Sequence, residues 1–333
     1  MYYFVYDLDE TLAEVHSLFY FLMSLKLKNI VTKTKYDENK ILFNKLDRAY
    51  YEFVNRVADV EKSDKPLGIL RPGIIQVMRE LEELRETKKI KKAIIYSNNG
   101  NLESLEFVKD VILKAIIPSN NSINSGILIQ DLIHWGHPGR TAEIPLYYNN
   151  KGQGTKRPGV ANKTWNVLHQ IITKDGRENT DFIPGNVFFF DDLYPEHSIK
   201  AELGDNYYRV PKYDFKASSE RLGEIFRSVM EPLVANSFDM NQYLKLVQRE
   251  LVGTISMNER FSDLDNLING IKNRTGVTES ASVPVPEPDI GISMMIDAIG
   301  RVKATGGGKR RKNNRTKKRI MSRHRTKSHI KKN

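Results

Sequence analysis

The chain has no cysteine and only two tryptophans among its 333 residues. Without thiols it forms neither disulfides nor thiolate metal centres, which fits a reducing compartment. Long apolar runs are missing as well. The apolar stretch at residues 16–31 is interrupted by Lys26 and Lys28, and it is too short to span a bilayer. No basic segment precedes it as a secretory signal would require, so a soluble intracellular protein is expected. Acidic residues are absent from 301–333, which carry 15 Lys or Arg. The formal net charge of +11 is therefore a property of that tail, because the remaining 37 basic and 41 acidic residues give −4. The tail also lacks aromatics, so base stacking has no support there.

The first dozen residues organise the rest. Tyr2-Tyr3-Phe4-Val5-Tyr6 is aromatic and β-branched, as a buried strand requires, and it runs into Asp7-Leu8-Asp9-Glu10-Thr11. Side chains alternate along a strand, so Asp7 and Asp9 leave it on the same side. Carboxylates that close repel one another unless a cation lies between them. Mg²⁺, a hard ion that takes oxygen ligands, suits the pair. One carboxylate could then attack phosphorus while the other moves protons. The plain alternative is an Asp-rich turn in which Asp9 or Thr11 caps a helix.

Three further stretches share this design. Lys92 to Tyr96 reads as a second buried strand, closed by Ser97, Asn98 and Asn99; a hydroxyl and N–H groups there can donate to a phosphoryl oxygen. Residues 161–172 read as a helix with Lys163 in its first turn, a poor place for a cation unless its ammonium serves a phosphoryl group. Lys156, beside Arg157-Pro158, is a rival for that role. Val187 to Phe190 is a third apolar strand, and it ends in Asp191-Asp192. In open parallel sheets, ligand sites form at such carboxyl ends.

Asp7-x-Asp9-x-Thr11, Ser97, Lys163 and Asp191-Asp192, in this order, resemble the four motifs of the haloacid dehalogenase superfamily of phosphatases. The resemblance covers residues 1–215. It implies an α/β fold with a Rossmann-like, mainly parallel sheet, and a small helical cap inserted at 13–65. By the same resemblance Asp7 is the nucleophile, Asp9 the acid and base, and Ser97, Asn98 and Lys163 contact the phosphoryl group. Mg²⁺ is held by Asp7, the Asp9 carbonyl, Asp191 and Asp192. Arg71-Pro72-Gly73 is similar to the matching place in the branch that contains NLI-interacting-factor-like and polymerase C-terminal-domain phosphatases, implying a phosphoserine or phosphothreonine protein substrate. The basic tail and the body also resemble proteins of large nucleocytoplasmic DNA viruses, which implies the cytoplasm or nucleus of a host cell, or a virion, as location.

Helical periodicity places an amphipathic helix within 36–60 and others at 74–84 and 101–114, with strands at 126–133 and 207–211. His134 and His137 sit in a loop that has no third metal ligand spaced to join them, and Arg140 is a candidate phosphate contact. Residues 216–275 read as a helical segment that packs on the core or forms an appendage, 276–300 as a linker rich in Pro, Ser and Val at its start, and 301–333 as a disordered tail. Such a tail suits nucleic acid or import factors. Two other functions stay open: a nucleic-acid end or nucleotide phosphatase, and a non-catalytic protein that uses the fold to bind polyanions.

Overall fold

The computed structural model describes residues 1–15, 18–117, 128–143, 146–148, 154–156, 163–174, 180–192, 198–213, 219–251 and 289–305. Five strands form one parallel sheet: β1 (Tyr2–Tyr6), β2 (Ile90–Tyr96), β3 (Ile129–Ile133), β6 (Val187–Asp191) and β7 (Tyr207–Arg209). Their order is β3-β2-β1-β6-β7. Two short strands, β4 (Leu146–Tyr148) and β5 (Gly154–Lys156), pair apart as an antiparallel hairpin. From β1 the chain steps outward to β2 and β3, then returns to lay β6 on the other side of β1. The sequence direction of the sheet reverses between β1 and β6, the kind of switch point at whose carboxyl ends ligands bind in open parallel sheets.

The alternation of side chains divides the core into two. Phe4, Tyr6, Ile95, Phe188 and Phe190 face one flank, whereas Tyr3, Val5, Ile94, Tyr96, Val187 and Phe189 face the other. The second flank is thin. It is covered by α6 (Trp165–Thr173) and α7 (Ser198–Leu203), with Trp165 stacked on Phe182 at 5.3 Å.

The first flank is thick. It holds α1 (Phe19–Leu25), α2 (Lys33–Glu38), α3 (Lys40–Glu61), α4 (Ile74–Glu86) and α5 (Leu102–Ile116). The 22-residue α3 buries Leu42, Phe43, Leu46, Ala49, Tyr50, Phe53, Val54 and Val57, the apolar face that its periodicity marks. It packs on α5 through Phe53 and Phe107, and its side chains join the cluster that contains Phe4 and Tyr6 of the sheet. The 13–65 insertion thus docks on the flank of the body rather than building a core of its own. The helices α8 (Ser219–Val234) and α9 (Ser237–Leu246), the latter continued by a π turn at Val247–Leu251, join the same cluster; Phe226 meets Phe53 edge to face. Residues 219–251 therefore pack on the core, one of the two arrangements that their periodicity leaves open.

One boundary needs correction. The stretch 276–300 was expected to be a linker, yet Ile290–Thr305 forms a helix, α10, that packs on α4. Ile292, Met295, Ala298, Ile299 and Val302 recur three and four apart and are buried, which gives the helix an apolar face. The periodic stretch at 261–271, the linker at 276–288 and the tail beyond 305 lie outside the described residues. Among the described residues no helix is long and apolar enough to cross a membrane.

Candidate active site

Register explains how two distant acidic stretches meet. Tyr6 pairs with Phe190 across β1 and β6, and the ladder continues with the Asp7 N–H donating to the Phe190 carbonyl at 2.9 Å. Asp7 therefore stands beside Asp191. Both continue the parity of Tyr3, Val5, Val187 and Phe189, so they lean toward the thin flank, where α6 packs. Asp7, Asp191 and Asp192 are all buried, and each offers a carboxylate oxygen within 4.8 Å of the others.

Lys163 comes to meet them from that flank. Its Nζ lies 2.8 Å from Asp7 Oδ2 and 3.3 Å from Asp191 Oδ2. The lysine is not in the first turn of a helix, as expected, but just before it. Thr164 is the cap, in extended backbone, and its side chain accepts from the Val167 N–H at 3.4 Å. Burial by itself would pull the ammonium down, but Asp7 and Asp191 outweigh it and hold its pKa above the ordinary lysine value. The rival Lys156 lies in β5, and its side chain is outside the described ones.

Among the described residues, three buried carboxylates face this one ammonium, which leaves excess negative charge. Asp192 registers it: burial, then Asp7 and Asp191, push its pKa up to about 7. The donor set is all oxygen, compact and short of positive charge, so it can hold a metal ion, and a hard divalent cation fits it. Thr11 Oγ1 donates to Asp192 Oδ1 at 3.2 Å, while Tyr207 hydrogen-bonds Asp191. Such partners fix the orientation of ligating carboxylates.

Asp9 goes elsewhere. After β1 the chain makes a wide turn in which the Leu12 and Ala13 N–H groups both donate to the Leu8 carbonyl, and Glu10 takes a left-handed φ of 60°. A non-glycine residue held there is strained, and the strain sits between two functional side chains. The turn sends Asp9 toward β2, where Asn99 Nδ2 donates to Asp9 Oδ1 at 3.1 Å and Ser97 Oγ stands 3.5 Å from Oδ2. It sends Thr11 toward Asp192. The carboxylate of Asp9 thus lies apart from the three-acid cluster, beside the hydroxyl expected to contact a phosphoryl oxygen.

The loop after β2 is braced from below. Arg140, fully buried, donates to the Ser97 carbonyl and to Asn98 Oδ1, and lies over the Tyr96 ring at 4.6 Å. It was expected to contact phosphate; its guanidinium instead holds the Ser97-Asn98 turn. His134 and His137 each accept a backbone N–H on Nδ1, from Gly136 and Gly139, and take no part in the acidic cluster. Asn99 and Tyr207 were not singled out from sequence as site residues, because they are joined to the site only through tertiary contacts. Thr11 stands in the Asp7–Thr11 run, where its residue type and spacing mark it.

No family model, curated protein or solved structure matches the chain.

Proposed function

We propose that the chain is a Mg²⁺-dependent phosphomonoester hydrolase of the haloacid dehalogenase type, working through an aspartyl-phosphate on Asp7. The observation that carries this reading is the position of Asp7: between an ammonium at 2.8 Å and two further buried carboxylates, with a separate acid, Asp9, a short way along the same turn.

Asp7 attacks the phosphorus of the ester in line through one carboxylate oxygen, and the P–O bond to the leaving group breaks as the P–O bond to Asp7 forms. The Leu8 N–H, donating to Asp7 Oδ1 at 2.8 Å, and Lys163 at Oδ2 fix the carboxylate for that approach. Asp9 delivers its proton to the departing oxygen, then takes one from the water that hydrolyses the acyl phosphate, which returns Asp7 to its starting form. The Ser97 hydroxyl and the N–H groups of its turn donate to the non-bridging oxygens, with Arg140 holding the turn. Asp7, Asp191 and Asp192 would hold Mg²⁺, with the Asp9 carbonyl as the further ligand that the resemblance implies. When bound, that ion supplies neutralisation of the phosphoryl oxygens.

A phosphoserine or phosphothreonine protein is the substrate we favour. The 15 basic residues of 301–333 support a second reading, the phosphorylated end of a nucleic acid. The test is Mg²⁺-dependent phosphate release from an aryl phosphate, phosphopeptides, nucleotides and end-phosphorylated oligonucleotides, with wild type and Asp7→Asn. Hydrolysis by wild type and its loss to below about 10⁻³ in the variant is expected. Full activity in the variant would refute the nucleophile, and inactivity of wild type on every substrate would favour a binding role for the fold.

A further inference from the structure

Arg71 is almost wholly buried, and its three nitrogen positions face three separate parts of the chain. Nη1 donates to the Thr11 carbonyl at 3.0 Å, Nη2 donates to the Pro211 carbonyl, and Nε faces Asp289 Oδ2 at 3.0 Å. The Arg71 backbone N–H adds a bond to the Leu12 carbonyl at 2.9 Å. One side chain thus ties the turn after β1, the segment after β7 and the start of α10.

Asp289 has a second duty. Its Oδ1 accepts the Ile292 N–H at 3.1 Å, so the same carboxylate caps α10 and pairs with Arg71. The approach is close enough to need glycine on both sides. A Cβ on Gly291 would come within 2.8 Å of Arg71 Nη1, and one on Gly73, at φ 89°, within 3.1 Å of Ile292. Thr11, whose carbonyl Arg71 holds, is the residue whose hydroxyl holds Asp192. A continuous line of contacts therefore runs from the cap of α10 through Arg71 and Thr11 to the acidic cluster.

Resting on the metal-binding reading of that cluster, we infer that Arg71 and Asp289 are positioning residues for the divalent ion, and that α10 is the strut that sets the Asp192 carboxylate through them. Metal affinity then depends on the Asp289–Arg71 contact at the start of α10 rather than on how firmly the rest of the helix docks. Loss of the Asp289 charge frees the guanidinium to turn away from the Thr11 carbonyl, and the Thr11 hydroxyl no longer holds Asp192 in place. A purely structural role for α10 would instead tie metal affinity to overall stability alone.

The experiment is Mg²⁺ titration by calorimetry on the full chain, run well below the unfolding midpoint of each variant, with thermal unfolding recorded in parallel. Asp289→Asn keeps an N-cap side chain but removes the charge. Ile299→Ala weakens the docking of α10 without touching Arg71. Asp289→Asn is expected to lower Mg²⁺ affinity about tenfold, as loss of outer-shell support does. Ile299→Ala is expected to lower the unfolding midpoint while affinity stays within about twofold of wild type. Wild-type affinity in Asp289→Asn, or an equal loss in Ile299→Ala, would overturn the inference and leave the metal site standing. A wild-type chain that binds no divalent ion would overturn both.

Discussion

Two clusters of buried charge, joined through Thr11, have opposite bookkeeping. Around Arg71, one guanidinium meets one carboxylate and two carbonyls, so the charges balance. Around Asp7, among the described residues, three carboxylates face one ammonium, and burial followed by the Asp7 and Asp191 charges drives Asp192 up to about 7. A buried charge that is matched holds parts of a chain together; one left in excess destabilises the empty fold and is retained where something else completes it. The difference separates the clamp from the site without recourse to any motif.

Substitutions on the two sides should therefore differ in sign. After the loss of turnover in Asp7→Asn, the largest expected effect is on the clamp. Arg71→Ala leaves Asp289 and two carbonyls without their partner and should lower stability by about 3–5 kcal/mol in denaturant unfolding. A smaller effect comes from a third buried charge, which belongs to neither cluster. Glu61 lies at the end of α3, and its carboxylate accepts the Ile69 N–H at 3.0 Å; burial pushes its pKa up to about 7, against an ordinary 4.5. The folded chain then holds a proton that the unfolded chain has released between those values. Stability should fall as pH rises from 4.5 to 7, by at most about 3 kcal/mol, and Glu61→Gln should flatten that slope.

The excess-charge cluster should respond in the other direction. Asp192→Asn is expected to stabilise the metal-free chain by on the order of 1–2 kcal/mol, because a repelled carboxylate is gone. The same variant should lose the stabilisation that Mg²⁺ gives wild type, about 2.7 kcal/mol at a hundred times the dissociation constant. Destabilisation of the metal-free chain by Asp192→Asn would erase the distinction between clamp and site.

Much of the sheet was legible. Strands β1, β2 and β6 carry apolar side chains at both parities because both of their faces are covered, and each ends in a polar residue where the cover stops. That is why Asp7, Ser97 and Asp191 could be placed at one edge before any coordinates. What failed did so for physical reasons. Ile290–Thr305 contains Gly291 and Gly300 and follows a Pro-rich run, which reads as linker; the first glycine is there because Arg71 leaves no room for a Cβ. Arg140 read as a cation awaiting phosphate, since a sequence does not reveal that its donors are used on Ser97 and Asn98. Lys163 was set inside α6 rather than just before it, because Thr164 ends the extended chain with its own side-chain cap.

The account rests on Asp7 as the nucleophile that accepts the phosphoryl group, and its most direct test is a trapped intermediate. Asp9→Asn should still accept a phosphoryl group from a good leaving group but hydrolyse it slowly, for want of a base. Incubated with Mg²⁺ and an aryl phosphate, quenched in acid and mapped by peptide mass spectrometry, that variant is predicted to carry one acid-stable, hydroxylamine-labile phosphoryl group on Asp7. A phosphoryl group on any other residue, or none on an enzyme that turns over the same ester in its wild-type form, would contradict the account.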